Sequence, residues 1–379
     1  MNERESTSDA SRRLNLVAGD SINNADTSLP IVRDSAQQKM IAQQLPELLE
    51  LERLIAQHPQ TLTARVEYML SWRDWQLPLY SVTIGSRDPQ APAVLMTAGM
   101  HGVERIGSQV LIAWMQTLLE RMKWDAHLCQ LASQIQLVFM PILNPVGMWL
   151  NRRCNGNGID LNRNAPIDAE DDVKLLGGGH RLGGFLPWYR GRKDAPMEPE
   201  NLALERVIKR QVFGRPMALA LDLHSGFGVQ DRLWFPHAYR RKPIENIADY
   251  VALKMLWERT YPNHIYIFEP QSIHYLSHGD VWDYFHDIFN SRQTQQPQHF
   301  LSLTLEMGSW AWVKKRPRQL LNFAGLFNPQ MKHRHARVLR RHILLLDFML
   351  AATLNSKHWL PDDKQTGLLT QAANSLWFS

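Results

Sequence analysis

Four apolar segments constrain the fold of this chain more than anything else in its sequence. They are APAVLMTAG (91–99), IQLVFMPILNP (135–145), PMALALDLHS (216–225) and FLSLTLEMG (300–308). The first two hold unbroken apolar runs, and the last two keep an apolar residue at every second position with small or polar ones between. Each reads as a strand covered on both faces, the pattern of a parallel sheet between helical layers. Helical spacing fills the stretches between them. Leu and Ile recur through LPELLELERLIAQ (45–57), and GSQVLIAWMQTLLERMK (107–123) has one apolar and one polar face. ARVEYMLSWRDWQLPLYSVTIG (64–85) reads as a hairpin and HIYIFEP (264–270) as a further strand. The predicted class is α/β, with a sheet that is at least partly parallel.

In such sheets ligands collect beyond the carboxyl ends of the strands. His101 and Asn144 follow the first two apolar runs, and His224 and Glu306 end the other two. One rim of the sheet is thus predicted to hold a shared site. Around it the chain divides into a flexible N-terminal arm (1–40), a catalytic domain (41–355) and a C-terminal tail (356–379). Residues 151–200, rich in Gly, Asn, Pro and Arg, read as a long loop with a function. The Gly-rich GGGHRLGG (177–184) within it lacks a P-loop lysine and reads as flexible. KHRHARVLRRHILLLDFMLAATL (332–354) begins as a basic helix and turns apolar, but its apolar part carries Asp347 and is too short to span a bilayer. The two cysteines, Cys129 and Cys154, form no Cys-x-x-Cys, and MNERESTSDASRRLN has no apolar leader. A cytoplasmic protein without a disulfide framework is expected.

His101 and Glu104 form a His-x-x-Glu pair, and His224 stands far downstream. Two imidazoles and one carboxylate, with a fourth position left open, is how hydrolytic zinc sites are built. Gly99 and Gly102 permit a tight turn around His101, and Asp222 shares a strand face with His224, where it would orient the imidazole. Glu306 and nearby arginines would supply a base and a place for negative charge. No His-Glu-x-x-His and no Gly-x-Ser-x-Gly occurs, which excludes the helical zincin arrangement and a serine elbow.

Six motifs follow one another: HGVE (101–104), NPVG (144–147), RRCNGNGIDLNRN (152–164), LDLHS (221–225), HYLSHGDVWD (274–283) and LTLEMG (303–308). With them the chain from about residue 60 to 310 resembles the zinc carboxypeptidases of the M14 metallopeptidase family. The resemblance implies a three-layer α/β/α sandwich around a mixed, mostly parallel eight-stranded sheet. It implies one Zn2+ per chain on His101, Glu104 and His224, with Glu306 as general base. Arg153 would polarise the scissile carbonyl, with Arg152 as the alternative. Asn162 and Arg163 would bind the substrate's terminal carboxylate, Tyr275 would close over it, and Asp280 and Trp282 would line the side-chain pocket. The implied substrate is a peptide or small amide with a free carboxylate. N-acyl amino acid deacylases of the succinylglutamate desuccinylase and aspartoacylase type share His-x-x-Glu, a downstream His and an Asn-Arg pair, and stand as the rival reading. The basic runs KKRPR (314–318) and HRHARVLRRH (333–342) read as solvated helix faces, so neither nucleic acid nor membrane is an expected partner. The sequence leaves the oligomeric state open.

Overall fold

The computed structural model describes residues 31–378 apart from residues 175, 293–297 and 322. Eight strands form one sheet: β1 (Leu62–Trp72), β2 (Trp75–Gly85), β3 (Ala93–Ala98), β4 (Gln136–Met140), β5 (Met217–Ser225), β6 (Arg232–Phe235), β7 (Ile267–Pro270) and β8 (His299–Met307). Their order is β1-β2-β4-β3-β5-β8-β6-β7. The central pairs β4/β3, β3/β5 and β5/β8 are parallel, as is β6/β7. The pairs β1/β2, β2/β4 and β6/β8 are antiparallel.

The helices are α1 (Ser35–Gln44), α2 (Pro46–Gln57), α3 (Arg105–Arg121), α4 (Ala126–Ala132), α5 (Pro145–Trp149) and α6 (Pro199–Gln211). They continue with α7 (Ile247–Thr260), α8 (Val281–Asn290), α9 (Trp310–Lys315), α10 (Lys332–Arg341), α11 (Ile343–Leu354) and α12 (Asp363–Trp377). Every residue of β3, β4 and β5 is buried, which is why β3 and β4 show no polar alternation. The period of two sorts their side chains between two cores. Val94, Met96, Leu219, Leu221 and Leu223 pack with α2, α3, α7 and α11. Leu95, Ala218 and Ala220 pack with α6 and α8 on the opposite face. The result is the expected three-layer sandwich with a mixed, mostly parallel sheet. Among the described residues no helix is long and apolar enough to cross a membrane.

The ends of the chain depart from expectation. Of the predicted arm, residues 1–30 lie outside the described residues, but Ser35–Gln44 is a helix closed by an Asp34–Gln37 capping box, with Ile41 buried. The predicted tail is likewise structured. A second capping box, Asp362 with Gln365, starts α12, which packs against α7 and sets Trp377 edge-on to Phe235 at 5.1 Å. Polarity misled here: both helices bury only a narrow stripe, so composition looks like a solvated segment. Strand β6 also escaped the sequence reading, because four residues are too few to show a period. The polar insertion NSRQTQQPQ (290–298) falls mostly outside the described residues.

Trp377→Ala is expected to lower unfolding stability by about 2 kcal/mol, below the figure for a fully buried aromatic because the side chain is only half-buried. Urea denaturation checks this, and an unchanged midpoint would mean that α12 does not dock.

Candidate active site

The chemistry-bearing residues meet at the carboxyl ends of the central strands. After β3 the chain turns through His101 and Gly102, and Glu104 sits at the N-cap of α3. Only glycine fits position 102: a Cβ there would stand 2.0 Å from the Gly147 carbonyl carbon, in the turn that follows β4. His224 lies in β5, and its register partner in β8 is Glu306. The ladder itself therefore brings Glu306 beside His224.

The three predicted ligands converge. His101 Nδ1 is 2.9 Å from Glu104 Oε1, His224 Nδ1 is 2.9 Å from Glu104 Oε2, and the two Nδ1 atoms are 3.2 Å apart. Each imidazole turns its other nitrogen to a buried carboxylate. His101 Nε2 donates to Asp160 Oδ1 at 3.1 Å, and His224 Nε2 donates to Asp222 Oδ2 at 2.8 Å. With those protons committed, both Nδ1 lone pairs point at one another and at a carboxylate. Three buried electron-pair donors this close repel unless a proton or a metal cation sits among them. Atoms ~2.0–2.1 Å from one ion, at angles near 90–105°, stand about 2.9–3.3 Å apart, so the donor set fits a zinc ion.

The electrostatics agree. Burial opposes charge on Glu104, but the two imidazoles outweigh it and hold the carboxyl well below its ordinary range. For His224 burial again works against charge, yet Asp222 and Glu104 raise its pKa well above the usual value. Asp222 is itself fixed by Thr97 Oγ1 at 2.7 Å and Trp282 Nε1 at 2.9 Å. Burial, together with the charge of Glu104, pushes the Glu306 carboxyl up to about 8.

A cavity of about 450 Å³ opens over this centre and is lined by His101, Glu104, Arg153, Asn162, Arg163, Tyr275 and Glu306. All the predicted site residues except His224 face it, and His224 contacts the lining residue Glu104. Arg153 Nε donates to Asp160 Oδ2 at 2.8 Å, and Nη1 lies 3.4 Å from Glu104 Oε1. Arg153 lines the cavity, whereas Arg152 is exposed and is not among its lining residues. The Arg163 guanidinium lies 5.8 Å from the Tyr275 ring centroid. Burial holds the Tyr275 phenol above its ordinary value, so it keeps its proton.

The expected pocket residues are elsewhere. Asp280 caps α8, accepting from Trp282 N at 3.0 Å and Asp283 N at 3.2 Å, while Trp282 props Asp222. The long 151–200 segment is a wall stitched to the Tyr275 loop. His278 N donates to Gly178 O at 2.8 Å, Gly279 N donates to Ile167 O at 2.8 Å, and Arg190 Nε donates to Arg163 O at 3.2 Å. This wall brings Lys174, Gly178 and Trp188 into the cavity lining. Asp160 was missed as a functional residue although it stands inside the quoted DLNRN segment; an acid seven residues after Arg153 was the available signal. Another grouping of possible donors, His237, His286 and Asp287, lies outside this cavity, and Arg240 Nη2, 2.9 Å from His237 Nε2, sets a positive charge against it.

The sequence model of the family described as zinc carboxypeptidase, Peptidase_M14, matches residues 51–309. The His101–Glu104–His224 set coincides with the zinc site of that family. Carboxypeptidase E of Caenorhabditis elegans is 33% identical over 161 residues, which is 39% of this chain and 33% of that protein. The chain thus spans about a third of the length of that relative. Among solved structures, thrombin activatable fibrinolysis inhibitor superposes with a TM-score of 0.58 at 17% identity, covering 80% of this chain and 72% of that one. Carboxypeptidase A from Helicoverpa armigera gives 0.55 at 16% identity, covering 84% and 81%. At such identities the superpositions speak for the fold alone.

In the metal-free protein His224 is expected to hold a proton at pH 7, since its pKa is raised. Zinc uptake must expel that proton, so zinc affinity falls as pH drops, by up to about tenfold per unit. Calorimetric titration in buffers of different ionisation enthalpy should show about one proton released per zinc at pH 7; release of none would mean that His224 is neutral.

Proposed function

Because the chain belongs to the M14 zinc carboxypeptidase family, we propose that it hydrolyses the C-terminal amide bond of peptides, with Glu306 as general base. One observation carries this reading. Glu306 Oε2, Asn162 Oδ1 and Arg163 Nε are all buried without a hydrogen-bond partner, and their residues line one cavity beside the three ligands. Buried polar atoms are ordinarily paired, so these are set to meet groups that the chain does not supply.

Zinc at the ligand set acidifies water and draws electron density from a carbonyl oxygen. The remaining work falls to side chains. Glu306 takes a proton from the attacking water and passes it to the departing amine nitrogen. Arg153, oriented by Asp160, donates to the carbonyl oxygen as it gains negative charge, an effect worth about 3 kcal/mol per donor in comparable sites. Arg163 presents a planar fork that matches the terminal carboxylate, with the Asn162 amide beside it. Gly179 packs behind Arg163, where a Cβ would lie 3.1 Å from Arg163 Cδ.

Among the described residues that line the cavity, Arg153, Arg163 and Lys174 are cationic, and once Glu104 is committed to the metal Glu306 is the one acid left in the lining, with Asp160 behind Arg153. This balance suits an anionic peptide or small amide with a free carboxylate. Neither nucleic acid nor membrane belongs to the reading. Part of the basic C-terminal run is spent internally: Arg334 Nη1 donates to Trp312 O at 3.2 Å, and Arg341 Nε pairs with Asp231 at 3.3 Å. A cytoplasmic site of action is part of the proposal and is supported by Cys129 and Cys154, both unpaired.

Glu306→Gln is expected to retain one zinc per chain and lose on the order of 10³-fold in kcat; turnover equal to that of the unsubstituted protein would refute the general-base role. Arg163→Ala should raise KM for peptides with a free C-terminus far more than for their amidated forms. Equal losses on both would remove the carboxylate clamp. Comparing peptides with N-acyl amino acids decides against the deacylase: faster turnover of the latter would overturn the peptidase reading.

A further inference from the structure

Glu104 occupies the N-cap of α3 and makes no capping hydrogen bond there. That position is ordinarily filled by Ser, Thr, Asp or Asn, whose side chain accepts from an amide in the first turn. Glu104 is not available for this, because its oxygens face His101 and His224. The amides of the first turn still need partners. The one at Ile106 finds Asn328, whose Oδ1 accepts at 2.9 Å across 222 positions of sequence.

The same side chain donates from Nδ2 to Val103 O at 2.7 Å and to Ala324 O at 2.9 Å. Asn328 therefore grips the chain on both sides of Glu104. Its neighbour Phe327 reaches the other ligand-bearing element. The Phe327 carbonyl accepts from Ser225 Oγ at 2.9 Å, next to His224, and Ser225 N donates to Glu104 Oε2 at 3.0 Å. Gln319 Nε2 braces the segment from behind, donating to Gly325 O at 2.9 Å and to Asn328 O at 3.3 Å. Gln319, Ala324, Phe327 and Asn328 all lie beyond residue 309, where the match to the family ends.

We propose that Asn328 is a positioning residue for the metal centre. It supplies the helix cap that Glu104 gives up, and so fixes the carboxylate against the two imidazoles. A residue that must bind an ion cannot also close its helix, and here the two tasks fall to residues from opposite ends of the domain. Without Asn328 the first turn of α3 frays and the ligand it carries loses its aim. This rests on His101, Glu104 and His224 being metal ligands.

The test compares Asn328→Ala and Asn328→Asp with Trp377→Ala, a destabilising change made on α12. Zinc Kd is measured by competition with a chromophoric chelator, the visible absorption of the Co2+-substituted protein reports ligand geometry, and urea midpoints are taken on the metal-free forms. Asn328→Ala should raise the zinc Kd about 10- to 100-fold and alter the cobalt bands. Asn328→Asp, which keeps an acceptor for Ile106 N but loses the donations to Val103 O and Ala324 O, should recover part of the affinity. Trp377→Ala should leave the zinc Kd unchanged despite its lower midpoint. An unaltered Kd and cobalt spectrum in Asn328→Ala would overturn the role, as would an equal loss of affinity in Trp377→Ala. If Asn328→Ala does not fold, a raised zinc Kd with altered cobalt bands in Asn328→Asp sustains the role, and an unaltered Kd and spectrum overturn it. An unsubstituted protein that takes up no zinc would instead overturn the ligand assignment itself.

Discussion

The site is organised by the mutual repulsion of electron-pair donors forced together in a buried place. His101 Nδ1, His224 Nδ1 and the Glu104 carboxylate crowd within 2.9–3.2 Å of one another, and a proton or a metal cation among them relieves the crowding. Asp160 and Asp222 worsen it in one sense, because they hold the Nε2 protons and so turn the lone pairs inward. They also make it useful, since they fix which nitrogen faces the ion and add basicity to it. A proton on His224 relieves part of the strain when no metal is bound, so proton and metal compete for one place.

The sheet provides the rigidity that such crowding demands. Ligands and base come from the ends of β3, β5 and β8, three neighbouring parallel strands packed on both faces. Side chains set on regular elements hold tighter geometry than side chains on loops. Yet the residues expected to handle substrate, Asn162, Arg163 and Tyr275, come from irregular segments. Those segments are kept in place by hydrogen bonds to each other rather than by the sheet, through Gly178, Ile167 and Arg190.

What the sequence made legible follows from this division. His101, Glu104, His224 and Glu306 stood out because strand ends are marked by where apolar runs stop. The layers and the buried strands were legible for the same reason. Asp280 and Trp282 were placed in a substrate pocket by the family resemblance, but position along a loop does not say which way a side chain turns once a helix begins. The local cap won, and Trp282 swung under Asp222. Asp160 was hidden in plain view, since a bond from an acid to an imidazole 59 positions away leaves no periodic trace. The same holds for Asn328. The helices α1 and α12 were lost to polarity, although each begins with an Asp followed three residues later by Gln.

The pairing of His224 with Glu306 has a consequence for how this protein tolerates change. A slip of β8 by a single residue would carry Glu306 to the other face of the sheet, away from the cavity. The ladder from Met217↔His299 to Ser225↔Met307 forbids that slip by anchoring the strand at both ends. A change of chain length ahead of His299 therefore leaves the carboxylate beside His224 so long as that ladder forms.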